Sequence, residues 1–167
     1  MTDSTQVYLW ERMGKNLPTT EEAMEIMQFR LDRFYHQFFF ITAEDKTVPI
    51  GATFSYDDNL RDGYVFVGTI VEHNFVGSGL GGAASILFCN YLFSFFPFRK
   101  IYFDVYEFNK LSLSTVKKSG AQIEGEMKLH KYFQGKYWAM YRFALYPDIF
   151  YKKWEKTLNW LLKHTIV

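Results

Sequence analysis

Hydrophobic and polar positions alternate along the chain in patterns that predict both strands and helices. Runs rich in β-branched and aromatic residues predict strands over 7–12, 38–42, 48–56, 64–71, 101–106, 122–127 and 137–145. Apolar residues at helical spacing predict helices over 19–38, from about Gly82 to a stop at Pro97, over 110–118 and over 148–163. Because these elements do not alternate strictly, the pattern predicts a three-layer α/β domain with a mixed sheet flanked by helices.

The predicted helices have recognisable limits and apolar faces. Thr19 and Glu22 form a capping box, and Gly120 ends the short helix. The expected core-facing residues are Met24, Met27, Leu31, Phe34 and Phe38 in the first helix, positions 80, 84, 87, 88, 91 and 95 in the second, and Phe150, Trp154, Leu158 and Leu161 in the last. Polar residues 57–63 and 44–46 predict turns between strands.

Composition describes an ordinary globular chain. Its 167 residues are 49% apolar and 20% aromatic, which fits one domain spanning 1–167. The formal charge of +1 gives no field that favours nucleic acid or an anionic membrane. Cys89 is the single cysteine, so no internal disulfide or thiolate metal cage is expected, and its apolar helical context predicts a buried packing residue.

Two segments bear on localisation. The N-terminal residues lack the basic and apolar regions of a secretory signal. The most hydrophobic run, Ile86 to Phe98, is too short to span a bilayer and contains Asn90 and Pro97. We therefore expect a cytoplasmic protein with no membrane partner.

The sequence from Gly77 to Gly82, Gly-Ser-Gly-Leu-Gly-Gly, joins a predicted strand to a predicted helix. Glycines permit positive φ angles and leave successive N–H groups uncovered, so these groups can converge on an anion. The start of the following helix adds unpaired N–H groups and the positive end of its dipole. One interpretation is a pyrophosphate site; the other is a turn that needs glycine only for steric reasons.

The order of this turn, a helix, a strand, Asn109, a short helix and Gly120 resembles the GNAT superfamily of N-acetyltransferases. In that family the acetyl-CoA loop carries Q/R-x-x-G-x-G/A, which corresponds here to the segment 76–81, Val-Gly-Ser-Gly-Leu-Gly. Val76 stands where the family has Gln or Arg. Since phosphate is held mainly by backbone N–H groups, this departure matters little for binding.

A second set of motifs looks like the branch that contains ribosomal-protein N-terminal acetyltransferases. These motifs are Asn109-Lys110-Leu111-Ser112, the segment 117–121 ending in Gly-Ala, Glu124-Gly125 and the segment 132–137, Tyr-Phe-Gln-Gly-Lys-Tyr. The resemblance covers roughly residues 38–150. It implies the GNAT fold, with a mixed and mostly antiparallel sheet, and acetyl-CoA as cofactor with CoA as product. It does not fix the acceptor, because the branch also acetylates antibiotics, amino sugars and polyamines.

The resemblance also implies which residues contact the cofactor. In the family, the strand equivalent to 64–71 splays from the strand equivalent to 101–106, and pantetheine pairs with the exposed backbone. The implied contacts are Val71, His73, Val76, Gly77, Ser78, Gly79, Leu80, Gly81, Gly82, Asn109 and Ser112. Asn109 is either a helix N-cap or a hydrogen-bond partner of pantetheine or of an ordered water.

The catalytic residues are less fully matched. Ser112 corresponds to the serine that the resemblance implicates as donor to the thiolate sulfur; the alternative is an exposed helix serine. Val116 stands near the position of the tyrosine acid found elsewhere in the superfamily, and Lys131 replaces the glutamate base of the branch. Glu72, His130 or the pair Asp57 and Asp58 are the alternative bases.

Aromatic and acidic residues offer a site for the acceptor. Tyr56, Tyr64, Tyr106, Tyr132, Tyr137 and Trp138 form either a pocket for a cationic or sugar-like group or part of the core. The acidic loop at Asp57, Asp58 and Asp62 either attracts an ammonium group or is simply solvated. The predicted acceptor contacts are Tyr56, Asp57, Tyr64 and Tyr106. No spacing of His, Cys or carboxylates indicates a metal site.

These observations lead to one hypothesis and three alternatives. The hypothesis is a metal-free, monomeric or homodimeric N-acetyltransferase that transfers acetyl directly from acetyl-CoA to a small-molecule amine, such as an amino sugar, antibiotic or natural-product intermediate. The preference for a small amine depends on Lys131 and on the absence of an acidic surface for a basic protein partner. The alternatives are an N-terminal protein acetyltransferase, a non-catalytic acyl-CoA-binding domain and an enzyme with a longer acyl donor.

Overall fold

The computed structural model describes residues 35–42 and 49–164, which form one six-stranded sheet with helices. The strands are β1 (Tyr35–Thr42), β2 (Pro49–Asn59), β3 (Tyr64–Val71), β4 (Lys100–Tyr106), β5 (Gln122–Phe133) and β6 (Lys136–Leu145). Their order in the sheet is β1-β2-β3-β4-β6-β5. Only β3 and β4 pair in parallel, and the other neighbours are antiparallel, so the expected mixed and mostly antiparallel sheet is confirmed.

The described α-helices all pack on one face of this sheet. They are α1 (Leu80–Phe95), α2 (Lys110–Ser119) and α3 (Pro147–His164), and a short 3-10 helix, His73–Phe75, precedes α1. The main core joins β3, β4, α1 and α3 through buried side chains: Val65, Val67, Phe88, Leu92, Ile101, Phe150 and Leu158. A smaller core beneath α2 consists of Val105, Leu113 and Phe143. The strand predicted over 7–12, the turn at 44–46 and the helix predicted over 19–34 lie outside the described residues.

Two predicted boundaries in the first half are wrong. Phe38 does not continue a helix, because β1 already begins at Tyr35 and pairs Phe38 with Phe54 of β2. In the sheet, the aromatic side chains of this segment pack on both faces of β1: Phe38 stacks on Phe54, and Phe39 contacts Phe88. This packing favours the strand over the helix that the spacing of apolar residues predicted. The polar segment 57–63 is also not entirely a loop, since β2 continues to Asn59 through an irregularity at Asp57, whose φ is 45°.

The helix after the glycine turn differs from prediction in its start and its buried face. It begins at Leu80 rather than near Gly82. Phe88 is buried as expected, but Cys89 and Leu92 are the other buried residues, and Phe95 is 74% exposed. Because α1 is apolar on nearly every side, the spacing of its apolar residues could not identify the face that meets the sheet.

The remaining elements agree with the pattern except for the length of β5. That strand runs to Phe133 instead of Met127, because a bulge at Leu129, with φ of 51°, allows the pairing with β6 to resume at Lys131. The predicted stripe of α3 is confirmed, with Phe150 buried and Trp154 packed at the edge of the main core.

Two further expectations concern single features. Cys89 is 2% exposed, and burial raises the pKa of its thiol to about 12, so the prediction of a buried packing residue is confirmed. In the ranges 35–42 and 49–164, no helix is both long and apolar enough to cross a membrane.

Candidate functional site

The two central strands separate as they run toward their carboxyl ends. Parallel pairing between β3 and β4 is confined to Tyr64 with Lys100, Val65 with Ile101 and Phe66 with Tyr102. Beyond these pairs, β3 continues to Val71 and β4 to Tyr106, with each strand bonded only to its outer neighbour, β2 or β6. The result is an opening between residues 67–71 and 103–106, and we call it the cleft.

The cleft exposes main-chain groups of β3. Main-chain groups of successive residues in a strand point to opposite sides. The amide nitrogen of Glu72 donates to the carbonyl oxygen of Ile50 at 2.7 Å, so this residue points toward β2. Val71 is one residue and Thr69 three residues before Glu72, so their N–H and C=O groups point the opposite way. They are therefore directed into the cleft.

The glycine turn lies at the carboxyl end of β3, beside the cleft. Gly77 and Gly79 adopt φ angles of 85° and 89°, which side chains rarely permit, and Gly79 is the N-cap of α1. Ser78 supports the turn, since its Oγ accepts a hydrogen bond of 3.3 Å from the Leu80 nitrogen. In this turn, the N–H groups of four glycines have no acceptor among the described residues: Gly77, Gly79, Gly81 and Gly82.

The glycines of this turn serve different purposes. A Cβ on Gly81 would lie 2.8 Å from Cγ2 of Val71, so Gly81 is required for the packing of α1 on β3. Gly77 and Gly79 are required for their positive φ angles. Gly82 has neither requirement, because its φ is not positive and an added Cβ would meet no atom within 4 Å. Open space, uncovered N–H groups and the helix dipole together fit a pyrophosphate group.

Asn109 and Ser112 lie where β4 ends. The Asn109 nitrogen donates to the Tyr106 carbonyl at 3.0 Å, and the Asn109 Oδ1 accepts from the Ser112 nitrogen at 3.1 Å. Asn109 is thus the N-cap of α2, as one of the two sequence interpretations held. The cap uses the side-chain oxygen and leaves the Nδ2 donor for a second contact. Ser112 is half-buried in the first turn of α2, so it is not a fully exposed helix serine.

The candidate bases lie in three places. Glu72 is exposed at the end of β3, and its carboxylate accepts from Asn74 Nδ2 at 3.2 Å. His130 is exposed on β5, with its ring 6.4 Å from the ring of Tyr106 at the end of β4. Asp57 and Asp58 lie near the closed end of the cleft, because Asn59 pairs with Tyr64. Glu72 and His130 thus both lie at the open end of the cleft, Glu72 directly after β3 and His130 beside the last residue of β4.

The aromatic residues proposed for the acceptor form two separate groups. Tyr56 and Tyr64 contact Phe66 at the closed end, with ring centroids 5.5 and 6.2 Å away. Tyr106 stacks on Phe108 at the open end, at 5.3 Å. Strand rise places Lys100 and Tyr106, at the two ends of β4, about 20 Å apart. A compact acceptor therefore cannot contact both groups, and their role in acceptor binding stays a prediction.

The other predicted residues lie either beside the glycine turn or at the β5–β6 hairpin. Val76 is 43% exposed and Leu80 is 36% exposed, so both flank the glycine turn at the surface. The carbonyl oxygen of His73 accepts from the Val76 nitrogen at 3.1 Å, which holds the turn in place. Tyr132 and Tyr137 contact each other at 5.2 Å at the β5–β6 hairpin and are more than half exposed. In the described part of the chain, no three His, Cys, Asp or Glu residues lie together as a metal site.

Two carboxylates on the sheet face opposite the described helices are held by cations. Asp104 forms a bidentate pair with Arg142 at 2.7 and 2.8 Å, and the Arg142 guanidinium lies 4.6 Å from the centre of the Phe66 ring. Glu124 accepts from Lys100 Nζ at 2.7 Å. Neither pair was recognisable in the sequence, because they form only through the register of β4 with β6 and of β6 with β5.

The pKa values of the second pair are shifted in opposite directions. Burial acts to raise the pKa of Glu124, but hydrogen bonds from Lys100, Tyr146 and Tyr102 outweigh it and lower that pKa to about 2. Burial acts to lower the pKa of Lys100, but its bond to Glu124 prevails and the pKa is raised. The pair is therefore ionised over the ordinary range of pH.

Several solved structures that are similar to this chain are acetyltransferases. Spermidine N-acetyltransferase from Vibrio cholerae, in complex with CoA and spermine, is 17% identical with a TM-score of 0.74, covering 87% of this chain and 85% of that chain. Ribosomal-protein-S5-alanine acetyltransferase from Vibrio fischeri is 16% identical with a TM-score of 0.62, covering 77% and 70%. A GNAT-family acetyltransferase from Bacillus anthracis is 15% identical with a TM-score of 0.67, covering 80% and 78%.

These likenesses establish the fold. The mixed sheet that opens between its two parallel strands, with a glycine turn at the opening, is the GNAT fold, as the sequence motifs led us to expect. No protein-family model matches the sequence, and no curated protein matches it.

Proposed function

We propose that this protein is an N-acetyltransferase that transfers the acetyl group of acetyl-CoA directly to a primary amine in a ternary complex. The observation that carries the proposal is the cleft between β3 and β4, which adjoins a turn with four uncovered glycine N–H groups. A pyrophosphate at the turn and an extended arm in the cleft would satisfy main-chain groups that no described residue pairs.

The residues that would hold the cofactor fall into two sets. The N–H groups of Gly77 to Gly82 would bind the pyrophosphate. The main-chain groups of Thr69 and Val71 would pair with the pantetheine arm as a further strand would, and Nδ2 of Asn109 would donate to it from the opposite wall. These contacts hold the acyl carrier in one orientation, which is a large part of catalysis in a reaction between two bound molecules.

The reaction needs few further groups from the protein. Acetyl-CoA supplies an acetyl group already activated as a thioester. The Ser112 hydroxyl would donate a hydrogen bond to the departing sulfur. His130 or Glu72 would accept the proton of the acceptor ammonium, either directly or through water. We favour His130, because its ring lies against Tyr106 at the end of β4, whereas the Glu72 carboxylate already accepts a hydrogen bond from Asn74.

The acceptor that we favour is a small-molecule amine, such as an amino sugar, antibiotic or natural-product intermediate. Among the described carboxylates, Asp104 and Glu124 are already paired with Arg142 and Lys100, and Lys131 stands where the related branch has a glutamate. These two carboxylates are therefore not available to a strongly cationic protein segment. Spermine, found with the Vibrio cholerae structure, is a natural first amine to test.

The test is the release of free CoA thiol from acetyl-CoA, with mass spectrometry of the amine product. The amines would include spermidine, glucosamine, an aminoglycoside and a peptide with an N-terminal alanine. Turnover with a small amine and not with the peptide is the expected result. Preference for the peptide would instead make the protein an N-terminal acetyltransferase.

A second candidate, a non-catalytic acyl-CoA-binding domain, is favoured by Lys131 in place of the usual glutamate base. It predicts that CoA binds while no amine in a broad panel is acetylated. Isothermal titration with CoA, done beside the thiol assay, separates the two functions. A longer acyl donor is tested in the same assay by replacing acetyl-CoA with butyryl-CoA.

A further inference from the structure

A row of hydroxyl groups crosses the interior from β2 through β3 to α1. Thr53 Oγ1 lies 3.0 Å from Thr69 Oγ1, which in turn lies 2.8 Å from Ser85 Oγ. The row ends at the carbonyl oxygen of Gly81, 2.8 Å from Ser85 Oγ. Thr53 is 2% exposed and the other two hydroxyl residues are half-buried, so these groups satisfy one another in a region otherwise lined by apolar side chains.

The directions of these hydrogen bonds follow from counting protons. A carbonyl oxygen only accepts, so the single hydroxyl proton of Ser85 is donated to Gly81. Ser85 must then accept from Thr69, and Thr69, whose proton is now used, must accept from Thr53. Thr53 also lies 3.3 Å from the Gly68 carbonyl, which is a second acceptor for its proton. The hydroxyl dipoles of Thr69 and Ser85 therefore point toward Gly81, while the proton of Thr53 is shared between Thr69 and the Gly68 carbonyl.

The row acts on the glycine turn through one peptide group. The carbonyl of Gly81 and the N–H of Gly82 belong to the same planar, conjugated unit. A hydrogen bond to the carbonyl oxygen polarises this unit and makes its N–H a stronger donor, and a chain of aligned donors adds to the effect. The Gly82 N–H has no acceptor within the described ranges and lies in the first turn of α1, beside open space.

We propose that Thr69 and Ser85 are positioning residues that strengthen the Gly82 N–H as a phosphate donor and fix the first turn of α1 against the cleft wall. This inference rests on the proposed function, because the phosphate is that of CoA. Thr69 connects the two parts of the site: its main chain faces the cleft, and its hydroxyl bonds to the helix that begins the phosphate site.

An ordinary helix hydroxyl provides the matched control. Serine and threonine in helices often donate to the carbonyl four residues earlier, which by itself implies no function. Thr115 of α2 does this, with Oγ1 3.0 Å from the Leu111 carbonyl. In the described residues, however, no hydroxyl donates to Thr115, and it is exposed. Its removal therefore breaks a local bond without breaking a row.

The test combines two measurements on the purified protein with the variants Thr69→Val, Thr69→Ser, Ser85→Ala and Thr115→Ala. The first is the amide ¹⁵N and ¹H resonance of Gly82 in the free protein. The second is the Kd for CoA from isothermal titration. Thr69→Val keeps the shape of the side chain but removes the hydrogen bond from Thr69 to Ser85, and it leaves the bond from Ser85 to the Gly81 carbonyl in place. Thr69→Ser restores the hydroxyl.

We expect Thr69→Val and Ser85→Ala to move the Gly82 resonance upfield and to weaken CoA binding about two- to fivefold, from the loss of polarisation at one charge-assisted bond. Thr69→Ser should restore both values, and Thr115→Ala should change neither. An unmoved Gly82 resonance in Thr69→Val, or an equal loss of CoA affinity in Thr69→Ser, would overturn the inference. If the unmodified protein does not bind CoA at all, the proposed function fails, whereas the Gly82 resonance still decides whether the hydroxyl row polarises that peptide.

Discussion

Replacing Gly82 by alanine should stabilise the protein and weaken its binding of CoA. Gly82 lies inside α1 with an ordinary helical φ, and the added methyl group would meet no atom within 4 Å. Alanine is favoured over glycine in a helix by about 1 kcal/mol, which corresponds to a rise in Tm of roughly 2–4 °C for a chain of this size. Among the described residues, no packing or backbone requirement therefore explains the glycine.

The cost should appear in ligand affinity. If the pyrophosphate approaches the Gly82 N–H, the methyl group occupies part of its space and weakens a charge-assisted hydrogen bond of about 1.5–3 kcal/mol. The Kd for CoA should then rise about tenfold or more. Thermal melts give the stability, isothermal titration gives the affinity, and Thr157→Ala in α3 is a control for helix propensity away from the turn. A Gly82→Ala protein with raised Tm and unchanged CoA affinity would refute the assignment of the phosphate site.

Three further predictions concern Gly79, the pair Ser112 and Asn109, and Glu124. Gly79→Val forces a β-branched residue to a φ of 89°, so CoA affinity should fall at least tenfold, about 1.4 kcal/mol, in a protein that still gives a cooperative melt; unaltered affinity in the folded variant would argue against a turn that binds phosphate. Ser112→Ala should lower kcat by about tenfold or less and leave CoA binding intact, whereas Asn109→Ala should impair both, and steady-state kinetics with an accepted amine would reveal a wild-type kcat if water is the donor instead. The pKa of Glu124 is lowered to about 2 from its ordinary value of 4.5, so its ion pair with Lys100 stabilises the fold above pH 4.5 and this contribution is lost as the pH falls toward 2; urea unfolding of the wild type and Glu124→Gln should differ by a constant amount above pH 4.5 and converge in acid, and a difference that grows on acidification would contradict the pairing.

Much of the sheet was predictable because the chain carries strong local signals. The limits of β3 were predicted without error, since its apolar run is bounded by Gly63 and by Glu72. Gly120 marked the end of α2 correctly and adopts a φ of 95° as the C-cap. Where local signals conflicted, as at Phe38 in β1, pairing with a distant strand decided the outcome.

The site was predictable in its backbone parts and not in its side-chain networks. Glycine spacing identified the turn because conformation and close approach are properties of single residues. The row from Thr53 to Ser85 depends on the pairing of Thr53 with Thr69 across β2 and β3, and no local pattern specifies that register. Polar residues at inward positions of otherwise apolar strands were the available signal, and it gives no indication of which residues become partners.

The most direct test of the central claim is to locate CoA on the protein by NMR titration of the backbone amides. CoA should cause saturable shifts at Gly77 to Gly82 and at residues 67–71, which form the glycine turn and the β3 wall of the cleft. The amides of Tyr132 and Tyr137, at the β5–β6 hairpin, should change far less. Saturable binding that leaves the glycine turn unperturbed, or no binding of CoA at millimolar concentration, would contradict the assignment of this cleft as the cofactor site.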